Sequence, residues 1–257
     1  MGTVAGMRID AVLPDESPSM PPARLVELAR QAEDLGHGTV WLPDHLLPPE
    51  PYGTTYGGVY EPLITLAHLA AHTSRIRLGT SVLITPLREP VLLAKQTATL
   101  ARLSGDRFVL GVGVGWEAHE FAAVGADFRR RGTRTDEIVE RVLALHRGEA
   151  TDGVFEPRPE RPVPIVVGGV SEAALQRAAR YADEWQGFGL SAALFTELAS
   201  TLPPTVLATT RIEHLGDTGK VRARLDELRD LGAGAVAVSF GTDDEAGARM
   251  ADLGEVA

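Results

Sequence analysis

The chain has 257 residues, is 44 % apolar, contains no cysteine and carries a formal charge of −10. That size allows one large α/β domain or two small ones, and the missing thiols exclude disulfides, thiolate catalysis and cysteine-held metals. The negative charge argues against nucleic acid or an anionic membrane as partner. With no bilayer-length apolar run and no leader pattern in MGTVAGMRID, a soluble cytoplasmic protein is expected.

Residues 8–14, RIDAVLP, read as a first short strand, followed by a proline-rich turn at 17–22. Leu25, Leu28, Ala29, Ala32 and Leu35 then recur at the period of a helix with one buried face, which Gly36 closes. The second strand, TVWLP at 39–43, delivers Asp44 and His45 at its C-terminal end. The stretch HLLPPEPYGTTYGGVYEP has neither helical nor strand period and reads as a lid or binding loop, before a helix at 63–72. Residues 76–84 form a nearly unbroken, β-branched run, as in a strand covered on both faces. Pro90 opens a helix in which Lys95, Thr99 and Arg102 make a wet stripe, with Leu93, Leu100 and Leu103 expected to face a sheet; Gly105 ends it.

A second buried strand at 108–114 runs into Gly115 and Trp116, so that 76–116 is a βαβ unit. The polar stretch 117–134 follows, then a helix at 135–147 with Ile138, Val142 and Leu145 on one face, and a proline-bearing loop at 151–162. Strand 163–167 ends in Gly168-Gly169, and Ser171 is the candidate cap of the next helix. Strands at 183–188, 205–212 and 235–240 then alternate with helices at 192–202 and 221–231, before a polar tail.

Eight strands separated by helical stretches, with no linker between them, predict one domain over 1–257: a (β/α)8 TIM barrel, with a doubly wound open sheet as the alternative. Barrel chemistry sits at the C-terminal strand ends. The candidates there are Pro14-Asp15-Glu16, Asp44-His45, residues 81–85, residues 113–116, Gly168-Gly169, residues 187–189, His214 and Gly241.

The run from Gly113 to Ala118 fits G-x-G-x-x-A, but the strand and acid that a dinucleotide fold needs next are absent. Its glycines either let a flat ring or phosphate approach the backbone or form a tight turn. Gly168-Gly169 before a helix suits an anion or is a plain loop. Asp44-His45 is the one strand-end acid–histidine pair: a proton-handling histidine with a carboxylate, or a capping aspartate beside a structural histidine. His68 and His72, at i and i+4, read as surface or packing groups, and Arg129-Arg130-Arg131 as a solvated face. The two lysines, Lys95 and Lys220, fall on outer helices, which excludes a Schiff-base aldolase.

The run GTSVLITPLREPVLLAKQTATLARLSGDRFVLGVGVGW resembles the signature core of the luciferase-like monooxygenase superfamily, and within it the oxidoreductases that use the deazaflavin F420. AEDLGHGTVWLPDHLL, FAAVGADFRRRGTRTDE and IVVGGVSEAALQRAARYADEW extend the likeness over residues 23–190, and GKVRARLDELRDLGAGAVAVSF continues it more weakly. The resemblance implies a non-prolyl cis peptide at Ser81-Val82 behind the cofactor's central ring, with Thr80, Ser81 and Val82 as cofactor-binding residues. It implies Asp44 and His45 as the catalytic pair, and Gly113, Gly115 and Trp116 as a turn beside the ring. Gly168 and Gly169 would be the phosphate-binding turn. Some F420 dehydrogenases have glutamate where Trp116 stands, and the region 187–205 is shorter than in the family, so specificity does not carry over. Tyr52, Tyr56, Tyr60 and Trp116 hint at an apolar or aromatic small-molecule substrate. The implied activity is hydride transfer with F420 in a homodimer. An FMN-dependent monooxygenase and a non-catalytic deazaflavin-binding protein are the alternatives.

Overall fold

The apolar runs become nine parallel strand segments in a computed structural model that describes residues 6–14, 20–149 and 152–254. They are β1 (Arg8–Val12), β2 (Thr39–Leu42), β3 (Arg77–Thr80), β4 (Leu83–Ile84), β5 (Phe108–Gly113), β6 (Ile165–Gly168), β7 (Glu184–Phe188), β8 (Leu207–Glu213) and β9 (Ala235–Ser239). The segments β3 and β4 are two halves of one stave, interrupted at Ser81-Val82, where the peptide bond is cis as expected. The sheet closes because β1 pairs with both β2 and β9, while β5 pairs with β3, β4 and β6. The architecture is therefore the eight-stave (β/α)8 barrel and not the open sheet.

The helices are α1 (Pro22–Asp34), α2 (Tyr52–Tyr56), α3 (Pro62–Ala70), α4 (Pro90–Ser104), α5 (Ala118–Ala123), α6 (Arg131–His146), α7 (Glu172–Tyr181), α8 (Ala192–Ala199), α9 (Thr218–Asp230) and α10 (Asp243–Leu253). Proline opens α1, α3 and α4, where the missing N–H has no helical partner to lose. Most of the apolar core lies between this helical ring and the staves. A smaller inner cluster of Val12, Trp41, Val109, Val166 and Ala237 fills the barrel itself.

Three expectations need correction. The polar tail carries α10, because Ala246, Met250 and Leu253 at i, i+4 and i+7 make a buried stripe, and Gly247 O accepts a 2.7 Å bond from Gln31 on α1. The stretch 117–134 contains α5, a 3₁₀ turn, Phe128–Arg130, and the first turn of α6, which starts at Arg131 and not at Thr135. Leu103 does not face the sheet: one turn on from Thr99, it shares the wet side of α4 and is 65 % exposed, while Leu93 and Leu100 are buried.

The lower end of the barrel, at the strand N-termini, is closed by ions. Arg8 pairs with Asp10 at 2.9 Å and with Glu184 at 2.6 Å, and Arg77 reaches Glu184 at 3.0 Å. The Trp41 indole N–H donates to Asp10 at 3.1 Å. Burial pushes the Glu184 carboxyl up, but Arg8 and Arg77 outweigh it and hold the group below the usual carboxylate range. This plug closes the lower end of the barrel, and the strand ends open at the upper, C-terminal mouth.

Candidate active site

At the upper mouth the strand ends enclose a cavity of about 550 Å³. Its back is Val82, brought forward by the interruption between β3 and β4. A Cβ added at Gly113 would lie 2.3 Å from Val82 Cγ2, and one at Gly168 would lie 2.7 Å from Val82 Cγ1. The two glycines that end β5 and β6 are thus bare because the Val82 isopropyl group occupies the space beside them. Ser81 donates a 2.5 Å hydrogen bond to Gln186 on β7, tying the interruption to the far side of the barrel.

Asp44 and His45, adjacent on an extended chain, diverge. The Asp44 carboxylate is buried and accepts 2.6 Å and 2.8 Å bonds from Arg88 and from the Ile84 N–H. Arg88 also holds Glu61, at 2.9 Å. Burial pushes the Asp44 carboxyl up against the pull of Arg88 and that N–H. Asp44 therefore clamps the end of β2 to the turn after β4, and its carboxylate does not touch His45.

The carboxylate on His45 belongs instead to Glu120 of α5, at 2.9 Å from Nδ1. Glu120 is only 1 % exposed, and its other oxygen accepts from the Leu46 and Leu47 N–H groups at 2.6 and 3.1 Å. The second ring nitrogen of His45, Nε2, has no protein hydrogen bond among the described residues, and the side chain lines the cavity. Tyr56 stacks on the imidazole, with ring centroids 4.7 Å apart, and Trp116 meets it edge-on at 5.6 Å. Tyr52 packs in turn on Trp116, at 4.6 Å. The loop between β2 and α3 thus forms an aromatic rim over the histidine.

Ser81, Val82, Gly113, Gly115, Trp116, Gly168 and Gly169 all line this cavity with Asp44 and His45. Thr80 does not: its buried hydroxyl bonds the backbone of Gly111 on β5. Gly169 has a φ of 120°, and its carbonyl accepts from the Trp185 indole at 2.7 Å. Ser171 caps α7 as expected. His214 bonds Thr218 and the Gly216 N–H and lies outside the cavity, as does Gly241. Asp15 and Glu16 fall outside the described residues. Of the remaining histidines, His68 and His72 pack on each other at 4.8 Å, and no group of three or more potential metal ligands occurs among the described residues.

Sequence reasoning missed Glu120, Gln186, Arg211, Glu213 and Ser239. Period 2 in EWQGF and TTRIE marks the inward, polar positions of β7 and β8, so Gln186, Arg211 and Glu213 carried a readable signal. Glu120 carried none, since a six-residue helix is too short for a period.

A family model for luciferase-like monooxygenases matches residues 1–202. An uncharacterized protein of Mycobacterium tuberculosis is 36 % identical over 187 residues, which is 64 % of this chain and 65 % of that one. An F420-dependent glucose-6-phosphate dehydrogenase of Kineococcus radiotolerans is 34 % identical over 227 residues, 82 % of this chain and 63 % of the relative. The chain thus spans slightly less than two thirds of the length of these relatives. Among solved structures, the monooxygenase RslO1 from Streptomyces bottropensis shares the fold, with a TM-score of 0.80 at 19 % identity over 95 % of this chain and 97 % of that one.

Proposed function

The chain belongs to the luciferase-like monooxygenase family, and from that premise we propose that it is an oxidoreductase passing hydride between coenzyme F420 and a small organic substrate. One juxtaposition carries most of the weight. A histidine held at Nδ1 by a buried carboxylate, its other nitrogen without a hydrogen bond among the described residues, lines a cavity whose back is an interrupted strand and whose walls include glycines. The F420-dependent dehydrogenase relative supports the choice of cofactor.

The residues present fit a flat deazaflavin. Gly113 and Gly168 leave no side chain in front of the strand ends, so that the Val82 isopropyl group is the surface a planar ring would meet. Gly115, Gly169 and Ser81 add backbone and a hydroxyl around it. When bound, the deazaflavin supplies two-electron hydride chemistry, for which the protein has no group of its own. His45 Nε2 handles the accompanying proton. Tyr56 and Trp116 hold the imidazole in place and screen it from water. The Asp44–Arg88 pair fixes the backbone that delivers it. Substrate enters under the rim formed by Tyr52 and Trp116, which favours apolar or aromatic molecules over sugar phosphates. A homodimer in the cytoplasm completes the proposal.

An anaerobic assay tests this reading: the visible absorbance of F420 or of its reduced form is followed against alcohols, enones and glucose 6-phosphate. Substrate-dependent bleaching or recovery supports it. In a parallel aerobic assay, oxygenated product formed from substrate with reduced FMN, and no reaction with F420, would replace it with a flavin monooxygenase; binding without any turnover would replace it with a deazaflavin-binding protein.

A further inference from the structure

We propose that Glu120 is a positioning residue that fixes the tautomer of His45, so that the neutral imidazole carries its proton on Nδ1 and presents Nε2 to the cavity as a proton acceptor. Three donors converge on the Glu120 carboxylate. Leu46 N–H and Leu47 N–H reach Oε1 at 2.6 and 3.1 Å, and His45 Nδ1 lies 2.9 Å from Oε2. A carboxylate only accepts, so the nitrogen facing it must bear hydrogen, and in a neutral ring the other nitrogen then carries the lone pair. The carboxylate is itself locked. It is buried, two backbone donors hold one oxygen, and those donors belong to the two residues after His45, so ring and carboxylate are set by the same turn.

This arrangement has a use in the proposed reaction, and that use rests on the function proposed above. Were an alcohol oxidised in this cavity, a bound deazaflavin would take the C–H electron pair as hydride and His45 Nε2 would take the O–H proton. The resulting imidazolium keeps its Nδ1–H on Glu120. Reduction of a carbonyl runs the same transfers backward. With the opposite tautomer the neutral ring would offer an N–H to the alcohol oxygen and could take no proton from it at Nε2.

Glu120→Gln separates this role from packing. The two backbone N–H donors require the amide oxygen at the Oε1 position, which places the amide NH2 against His45 Nδ1. That group donates, so the neutral ring must move its proton to Nε2. The readout is the imidazole nitrogen resonances of ¹⁵N-histidine-labelled full chain, without cofactor, at a pH where the ring is neutral. The His45 signal is assigned by its loss in His45→Gln. The expected wild-type spectrum shows a protonated Nδ1 and an unprotonated Nε2 for His45, and Glu120→Gln exchanges the two. Turnover with F420 should fall by about 10²–10⁴-fold in Glu120→Gln with F420 affinity unchanged. A wild-type His45 protonated on Nε2 overturns the inference by itself, whether or not the variant folds. So does a folded Glu120→Gln that keeps the wild-type pattern. If the exchange is seen but F420 does not bind, the tautomer assignment stands and the proposed function falls.

Discussion

Replacing Gly113 by alanine tests whether Val82 is the reason for the bare strand ends. Gly113 has no positive φ, so alanine meets no backbone penalty there, only the space beside it. The added Cβ would sit 2.3 Å from Val82 Cγ2, against 3.4–4 Å for an ordinary contact, so something must move by about 1 Å. Val82 cannot yield by a simple rotation, because its branched Cβ restricts χ1 and its Cγ1 already lies beside Gly168. Overpacking of this kind costs about 1–3 kcal/mol, which in a chain of this size lowers the melting temperature by about 2–12 °C. Val82→Ala alone removes part-exposed methyl groups and costs about 1 kcal/mol. In the double variant the new Cβ takes up vacated space, so Gly113→Ala should cost less than about 0.5 kcal/mol in the Val82→Ala background. The cycle then yields a coupling of about 0.5–3 kcal/mol. Denaturant midpoints of the four proteins measure it. An equal cost of Gly113→Ala in both backgrounds would refute the steric account.

Acid stability gives a second check. Burial lowers the His37 pKa from 6.5 to about 4, against a weaker opposing pull from the Ile9 backbone. Above the unfolded value both states are neutral and nothing is lost. As pH falls below it the unfolded chain takes the proton first, so stability declines toward the folded value. His37→Leu should therefore gain about 2–3 kcal/mol on wild type between about pH 7.5 and pH 4.5, read as the change in the stability difference; a pH-independent difference contradicts the assignment. Arg88→Met strands the buried Asp44 carboxylate and should cost about 3–5 kcal/mol. Asp44→Asn in that background should recover part of the loss, and failure to do so would mean that the pair does not hold β2 to β4.

Much of the frame was legible because barrel staves are continuous apolar runs and their helices carry a clear 3.6 period. Residues 108–113 could hardly have been anything but a buried strand, and β3 through β5 appeared close to their observed bounds. The tail helix α10 was passed over because its buried stripe rests on Ala246 and Gly247 as well as on Met250 and Leu253, a weak apolar signal amid charged residues. The site was harder to read for a different reason. Convergence of His45 with Trp116 and the glycines follows from the fold rule alone. The partner of His45 does not: Glu120 lies 75 residues away in a helix too short to show a period, while the adjacent Asp44 is the obvious and spatially wrong companion. Gly168 in sequence suggests an anion cradle, and the barrel adds a second reason for its bareness by bringing Val82 beside it.

Whether this cavity takes F420 is decided by equilibrium titration of the purified chain, once with F420 and once with FMN, followed by fluorescence. Saturable F420 binding with a dissociation constant on the order of micromolar, and no comparable response to FMN, is expected. Tight FMN binding with F420 ignored would overturn the assignment of the cofactor.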